Sequence, residues 1–344
     1  MHGVASATIV SDFSAAPFIA PTSLVNSEVL IHVGLPKTGT TWLQDHVFAN
    51  PTLGFWGPAQ DEDTPKQQTK SFGRLLYLDA YKRLIAEDDF DAGAIRDQLA
   101  SVNVPDGLVP VVSNERLSGH VLSNAFDRPM LARRIKDVFP RARIFLTIRE
   151  QRSMILSSYF QYLKYGGWQS LDGFLHPPCD GRLPALHLDV WNYDRLARLY
   201  YSLFGRERVS ILPYEMFVRD PACYVGRICD FAGVGKVEGL PYAAKSNPRR
   251  SHVASYYLRW LTCINRSTSA NGYFPHPFGR RVGKAIDRSL KIAAGAITPP
   301  GWERRLENDF KARIEAVIDE RYRASNRRLV ALTGLDLGSY GYQV

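Results

Sequence analysis

Hydrophobic residues recur along the chain in two forms, as short apolar runs and as longer segments with helical spacing. Four short runs rich in β-branched residues predict buried strands, at 28–33, 108–112, 143–148 and 209–212. Segments with helical spacing predict helices at 42–48, 90–100, 130–139, 150–164, 189–204 and 302–332. This alternation predicts an α/β fold, a single domain whose central parallel sheet is flanked by helices on both faces.

The two ends of the chain lie outside this pattern. Residues 1–27 are rich in Ala, Ser and Thr and contain no Lys or Arg, so we interpret them as a flexible N-terminal arm rather than a signal peptide. The predicted domain covers 28–335, and 336–344 form a C-terminal tail. Within the domain, 52–79 are predicted as a surface excursion. No apolar stretch reaches the ~18 residues of a membrane span, so none is predicted.

Composition and charge restrict the class of protein. The 344 residues are 45% hydrophobic and 22% charged, which is typical of a globular domain and excludes a disordered or collagen-like chain. The formal net charge of +9 predicts attraction to anions such as nucleotides, nucleic acid or membrane headgroups. The four cysteines have no CxxC spacing, which favours reduced thiols in a cytoplasmic protein; they are Cys179, Cys223, Cys229 and Cys263.

The segment 34–41 (GLPKTGTT) joins the first predicted strand to the first helix. Backbone N–H groups at such a turn converge on one anion together with the positive end of the helix dipole. The loop's hydroxyls would add donors, and Lys37 would add a mobile positive charge. The segment therefore predicts a cradle for a phosphate or a related anion.

This loop differs from the ATP-binding loop GxxxxGK[ST]. That pattern requires Lys after its second Gly, whereas Thr40 follows Gly39 here and Lys37 lies inside the loop. No acidic partner for a metal is evident at the end of the next strand. Both departures argue against ATP with Mg²⁺.

The stretch PKTGTTW at 36–42 resembles the phosphosulfate-binding loop of the sulfotransferases that use 3′-phosphoadenosine 5′-phosphosulfate (PAPS). In that family the loop's Lys, hydroxyls, Gly and amides grip the 5′-phosphosulfate, and the Trp packs near the adenine. The resemblance assigns these roles to Lys37, Thr38, Gly39, Thr40, Thr41 and Trp42.

A second element of the same family follows at the third predicted strand. Arg149 closes the run 143–148, and Ser157 stands eight residues later in the next helix. In the family, an Arg and a Ser with this spacing bind the 3′-phosphate. Such a phosphate can be bound by a guanidinium at the strand end together with a hydroxyl from the following helix. Without the loop, Arg149 would be interpreted as a surface ion-pair partner.

Two further stretches resemble the family. The segment 211–221 (ILPYEMFVRDP) is similar to its strand followed by Tyr-Glu, which makes Tyr214 a candidate nucleotide contact; packing at the strand end is its alternative role. Arg249 and Arg250 are further candidates, because the family often closes a basic loop over the nucleotide there. The GxxGxxK motif of its soluble small-molecule enzymes is not evident. The resemblance covers about 28–335 and is closer to bacterial and carbohydrate-type members.

Sulfuryl transfer needs a cation beside the leaving oxygen and a base for the acceptor's proton. Lys37 is the candidate cation. Glu115 follows the second predicted strand, where ligands of open α/β sheets bind, and carbohydrate-type members use a Glu in a comparable place as the base. His120 is the alternative base, since phenol-type members use a His. A purely structural ion pair of Glu115 with Arg116 or another Arg is the third possibility.

The resemblance implies a P-loop-like version of the α/β fold and an enzyme that moves a sulfuryl group from PAPS to an acceptor hydroxyl or amine. A saccharide is the first candidate acceptor, with a lipid or a small metabolite as the alternative. No metal is expected, because a sulfuryl group carries less charge than a phosphoryl group. A nucleotide-dependent kinase is disfavoured by Arg149 and Ser157, since ATP has no 3′-phosphate. An anion- or nucleic-acid-binding module is disfavoured because no aromatic and basic RNA-binding motif is present.

Overall fold

A five-stranded, entirely parallel sheet forms the centre of the protein in a computed structural model. The structure describes residues 23–57, 90–165, 167–177, 186–235, 239–242, 252–259, 289–290, 292–294, 298–299 and 301–344. The strands are β1 (Leu30–His32), β2 (Phe55–Trp56), β3 (Val109–Ser113), β4 (Arg143–Ile148) and β5 (Val209–Pro213). Their order is β2-β3-β1-β4-β5, so the predicted parallel sheet is confirmed.

Helices connect and cover the strands. The described α-helices are α1 (Thr40–Leu43, continued by a π-helical segment, Gln44–Phe48), α2 (Ala92–Ala100), α3 (Arg128–Val138), α4 (Gln151–Lys164), α5 (Leu171–Leu175), α6 (Tyr193–Phe204), α7 (Tyr214–Arg219), α8 (Pro221–Ala232), α9 (His252–Tyr257), α10 (Trp302–Ile318) and α11 (Arg323–Thr333). In the part of the chain that the structure describes, none of the helices combines the length and the apolar character needed to cross a membrane.

The side chains of the strands point alternately to two hydrophobic cores, as the period of two in a strand requires. Leu30 of β1 belongs to the core that contains Phe48, beyond α1, and Ile228 of α8. Ile31 belongs to the other core, which contains residues of α3, α4 and α6 such as Ile135. Helices therefore cover both faces of the sheet, as predicted for this fold class.

The connections after β1 and β3 leave the sheet on opposite faces. The chain passes from β1 into α1, which packs in one core, whereas α3 between β3 and β4 packs in the other. The two strands are neighbours, with His32 paired to Ser113. Such a reversal opens a crevice at the carboxyl ends of the strands, where ligands of open α/β sheets bind.

Two sequence predictions differ from the structure. The start of the predicted excursion 52–79 contains β2, whose Phe55 is fully buried and pairs with Val109. A strand of two residues is too short to produce a recognisable pattern. From 58 to 79, the excursion lies outside the described residues.

The single helix predicted over 302–332 is wrong, because α10 and α11 are separate helices. Asp319 has a φ of 38° and a ψ of −122°, which ends α10. The apolar spacing runs across this break because Ile318, Tyr322 and Leu329 are all buried in the same core. Hydrophobic periodicity records the buried face and not the continuity of the backbone.

Candidate active site

The loop between β1 and α1 turns sharply at two left-handed residues. Gly39 has a φ of 83° and precedes the first residue of α1, and Lys37 has a φ of 70°. A Cβ at position 39 would lie 3.3 Å from the ring of Tyr214, so the loop packs closely against that side chain. The Thr38 hydroxyl is buried and donates to the carbonyl of Leu35 at 2.6 Å. Thr38 therefore stabilises the loop from inside.

A buried polar network lies beneath this loop. His32 Nδ1 is 2.8 Å from the Ser113 hydroxyl on β3, and its Nε2 is 3.4 Å from the Thr147 hydroxyl on β4. The Thr147 hydroxyl is also 2.8 Å from that of Tyr224 on α8. Burial lowers the pKa of His32 to about 3, so the ring is neutral at physiological pH. The network joins three strands and a helix below the loop.

Gly34→Ala is expected to destabilise the protein by about 1–3 kcal/mol, because overpacking forces the surrounding groups to move. A Cβ at position 34 would lie 2.5 Å from His32 Nε2 and 3.2 Å from the Thr40 hydroxyl. Urea unfolding measures the change. The matched control is Gly235→Ala, where an added Cβ meets nothing within 4 Å. Equal unfolding free energies for the two variants would contradict the prediction.

Arg149 lies against the same loop, directly after β4. Its Nη1 donates to the carbonyl of Lys37 at 2.9 Å, and its Cζ is 5.1 Å from the centroid of the Tyr214 ring. Arg149 and Lys37 thus share one site although 112 positions separate them in the sequence. Tyr214 contacts both the guanidinium and the loop.

Ser157 is half-buried on α4, with no hydrogen bond to Arg149 in the described part of the chain. Helical spacing places Ser157 on the same side of α4 as Gln161 and Lys164, four and seven positions later. The charge of Lys164 acts on both Lys37 and Glu115. Lys164 is not among the residues predicted from the sequence, although its spacing from Ser157 could have indicated it.

Glu115 begins a short 3₁₀ turn, Glu115–Ser118, just beyond β3. The turn is capped by Asn114, whose Oδ1 accepts a hydrogen bond from the backbone N–H of Arg116 at 2.8 Å. Burial raises the pKa of the Glu115 carboxyl, while the positive charges of Lys37, Arg116 and Lys164 act in the opposite direction. A half-buried carboxylate therefore lies near the ammonium group of the loop.

Lys37 is itself partly buried, in a cationic surrounding. Burial lowers the pKa of its ammonium group, and so do the neighbouring charges of Lys164 and Arg149, whereas Glu115 raises it. The positive charges of Lys37, Lys164 and Arg149 thus act on one another and outnumber the negative charge of Glu115. Such an excess of positive charge attracts multiply charged anions.

A cavity of about 260 Å³ opens beside Glu115. Its lining residues are Pro36, Glu115, Arg116, Gly119, His120, Val121, Leu122, Ser158, Gln161 and Tyr165. His120 Nδ1 is 2.6 Å from the Ser123 hydroxyl, and burial together with the charge of Arg116 lowers the pKa of this imidazole. Both candidate bases, Glu115 and His120, therefore line the same cavity next to the loop.

Several polar atoms near the loop are buried without a hydrogen-bond partner among the described residues. They include the Thr40 hydroxyl, Trp42 Nε1 and Arg149 Nε. Burying such atoms unpaired is costly, so a ligand rich in oxygen atoms fits these groups. The Trp42 ring packs against Phe217, with centroids 4.8 Å apart, and against Tyr242 at 5.9 Å. These donors and aromatic rings suit an anionic nucleotide.

The other predicted nucleotide contacts are placed as follows. Thr41 is half-buried in the first turn of α1, and Trp42 is 5% exposed. Arg249 and Arg250 lie outside the described residues. For these residues and for the rest of the site, the proposed roles stay predictions.

One group of side chains among the described residues has the spacing of metal ligands. It consists of His252, Glu303 and Glu307, whose ligand atoms lie within 4.8 Å of one another. His252 Nδ1 is 2.8 Å from a Glu307 oxygen, and Glu303 accepts the backbone N–H of His252 at 2.9 Å. These bonds join α9 to α10, and the group contains none of the predicted site residues that the structure describes. The expectation of a reaction without metal stays a prediction.

Comparison with known proteins identifies the family to which the chain belongs. The model of the Sulfotransferase family matches residues 30–238, a region that includes the loop, Glu115, His120, Arg149 and Ser157. The chain belongs to the Sulfotransferase family, and it is a sulfotransferase.

Similar solved structures include a sulfotransferase from Alicyclobacillus acidocaldarius, with a TM-score of 0.43 and 21% identity over 71% of this chain and 98% of that chain. The sulfotransferase domain from the curacin biosynthetic pathway has a TM-score of 0.37 and 16% identity over 84% and 96%. A sulfotransferase domain from the Synechococcus PCC 7002 olefin synthase also has a TM-score of 0.37 and 16% identity, over 86% and 96%. The comparison with curated proteins gave no match.

Proposed function

We propose that this sulfotransferase moves a sulfuryl group from PAPS to an acceptor hydroxyl or amine. The observation that carries the proposal is the contact of Arg149 with the loop, where its Nη1 donates to the Lys37 carbonyl at 2.9 Å. Arg149 is thereby held against the loop that carries Lys37, so two cationic residues belong to one site. PAPS has anionic groups at both its 5′ and its 3′ position. A nucleotide without a 3′-phosphate would lack the group that Arg149 is proposed to bind.

The loop would hold the 5′-phosphosulfate through backbone N–H groups near the start of α1 and through the hydroxyls of Thr40 and Thr41. Arg149 and Ser157 would bind the 3′-phosphate. The ring of Trp42, packed against Phe217, would form a wall for the adenine. Tyr214 would contribute by supporting the guanidinium of Arg149, which lies over its ring.

Bound PAPS would supply an activated sulfuryl group, and two side chains would lower the barrier to its transfer. Lys37 would stabilise the negative charge that develops on the leaving oxygen. Glu115 would take the proton of the acceptor, because it lines the cavity beside Lys37 and its burial favours proton uptake. His120 lines the same cavity and is the alternative base.

The acceptor would enter the cavity beside Glu115, and we propose a saccharide. The cavity lining combines apolar side chains with hydrogen-bonding ones such as Arg116, Ser158 and Gln161. This combination suits an acceptor with several hydroxyls. Two aromatic side chains near the end of α4 are accessible, with Tyr165 45% and Trp168 39% exposed. They offer ring surfaces for a sugar to pack against.

A panel of acceptors incubated with radiolabelled PAPS tests this assignment. Saccharides, hydroxylated lipids, and small alcohols, phenols and amines would be compared at equal concentration. Sulfation of the saccharides at the highest rate is expected. If only the lipids or only the small metabolites become labelled, that class is the acceptor and the saccharide assignment is wrong.

The nucleotide specificity gives a direct prediction. Wild-type protein should bind 3′-phosphoadenosine 5′-phosphate (PAP) about 10- to 100-fold more tightly than AMP, since hydrogen bonds to charged groups contribute about 1.5–3 kcal/mol. Arg149→Ala should reduce the affinity for PAP to near that for AMP, as measured by calorimetry. Arg96→Ala, at an exposed position on α2, is the matched control. ATP binding as tight as that of PAP would favour a kinase and overturn the proposal.

The cytoplasmic location is also a proposal. Of the four cysteines, the two that the structure describes, Cys223 and Cys229, are free thiols. This agrees with a reducing compartment. The expectation that nucleic acid is not a partner likewise stays a prediction.

A further inference from the structure

The peptide group that follows Arg149 is held from both sides by side chains of other elements. The Tyr193 hydroxyl donates to the Arg149 carbonyl at 2.6 Å. The N–H of Glu150, on the same peptide bond, donates to Glu215 Oε1 at 3.0 Å. Since a peptide group is planar, two bonds on opposite sides fix its orientation. They thereby restrict the backbone from which the Arg149 side chain extends.

The second oxygen of Glu215 is bound by the C-terminal segment 336–344. The hydroxyl of Tyr342 donates to Glu215 Oε2 at 3.0 Å, and Tyr342 is 4% exposed. Glu215 therefore connects this segment directly to the Arg149–Glu150 peptide. Burial raises the pKa of Glu215, while its hydrogen bonds and the charge of Arg149 act in the opposite direction.

Other bonds fasten the C-terminal segment to the surrounding helices. Arg152 on α4 donates to the Gly341 carbonyl at 3.0 Å. Asn326 on α11 donates to the Gln343 carbonyl at 2.8 Å. The residues on both sides of Tyr342 are thus anchored, and its hydroxyl is held in place for Glu215.

Residues at the start of α7 support both ends of Arg149. The ring of Tyr214 lies under the guanidinium at 5.1 Å, while the next residue, Glu215, holds the backbone. The side chain contacts the loop through the Lys37 carbonyl. A shift of the backbone at Arg149 would displace the side chain that makes these two contacts.

We propose that Tyr193, Glu215 and Tyr342 are positioning residues that aim Arg149 at the 3′-phosphate of the nucleotide. The C-terminal segment then contributes to nucleotide binding as well as to the packing of the hydrophobic core. The inference rests on the proposed function, because it requires a ligand with a 3′-phosphate. It concerns selectivity between nucleotides, which a purely structural role would leave unchanged.

The test compares PAP with AMP, since they differ by the 3′-phosphate alone. Tyr342→Phe should weaken PAP binding about tenfold and leave AMP binding within about twofold, because a misaligned guanidinium makes a weaker hydrogen bond to the 3′-phosphate. Tyr193→Phe acts on the other side of the same peptide and should do the same. Tyr340→Phe is the control, because its hydroxyl has no hydrogen bond among the described residues. Calorimetry supplies the dissociation constants, and thermal unfolding monitors the fold.

The possible results separate the two proposals. If wild-type protein binds PAP and AMP equally well, the proposed function fails and this inference fails with it. If wild-type protein prefers PAP and the tyrosine variants keep that preference, the inference alone is overturned. A Tyr342→Phe protein with a lower melting temperature but an unchanged preference also overturns it. Should that variant not fold, the nucleotide preference of Tyr193→Phe decides.

Discussion

Replacement of Lys37 by alanine is expected to lower kcat by a factor of about 10²–10³. The ammonium group is the proposed partner of the oxygen that gains negative charge as the sulfuryl group leaves. The backbone of Lys37 has a φ of 70°, and its carbonyl accepts a hydrogen bond from Arg149, so the residue that carries the ammonium group is fixed in the loop. Turnover with radiolabelled PAPS and a saccharide acceptor measures the effect, and circular dichroism checks the fold.

The matched control for this substitution is Lys311→Ala. Lys311 is exposed on α10, so its removal deletes the same positive charge from the surface. We expect its turnover to stay within about twofold of wild type, as is usual for surface substitutions away from a site. If Lys37→Ala also keeps turnover within that range, Lys37 loses its assigned role.

Glu115→Gln is expected to lower kcat by about 10²–10⁴ and to leave the affinity for PAP unchanged. Glutamine has nearly the same size but cannot take the proton of the acceptor. The matched variant is His120→Gln, at the other candidate base of the same cavity. If His120→Gln loses turnover and Glu115→Gln keeps it, His120 is the base.

The dependence of kcat on pH gives a second measure of the same residue. Burial raises the pKa of Glu115 above its ordinary value of 4.5. A base must be ionised, so activity should fall as the pH decreases through this raised pKa. The acidic limb of the pH profile of kcat should therefore lie at a higher pH than it would for an exposed glutamate. The residual activity of Glu115→Gln should show no such limb. An acidic limb that persists in this variant would assign it to another group.

The sequence predicted most of the sheet and the central loop, because both depend on neighbouring residues. An apolar run such as 143–148 predicts a buried strand wherever that strand lies in the sheet. The loop 34–41 carries its donors and its glycines within eight positions, so its chemistry can be recognised before any fold is known. Arg149 and Ser157 were predicted as phosphate ligands from the spacing that they share with a family.

Features that depend on contacts between distant segments could not be predicted in this way. β2 consists of two residues, and Phe55 is buried because β3 lies beside it. The break at Asp319 leaves the buried face of α10 and α11 uninterrupted, so the periodicity did not record it. In both cases packing against the rest of the protein decides the structure.

By itself, the sequence determined four of the five strands, the loop 34–41 and the identity of the groups available for chemistry. Tertiary structure alone decided which of them meet. It brought Lys164 near Lys37 and Glu115, and it placed Tyr342 against Glu215, 127 positions away. Local patterns follow from the preferences of adjacent residues, whereas the aim of a side chain such as Arg149 depends on hydrogen bonds that form only when the whole chain has packed.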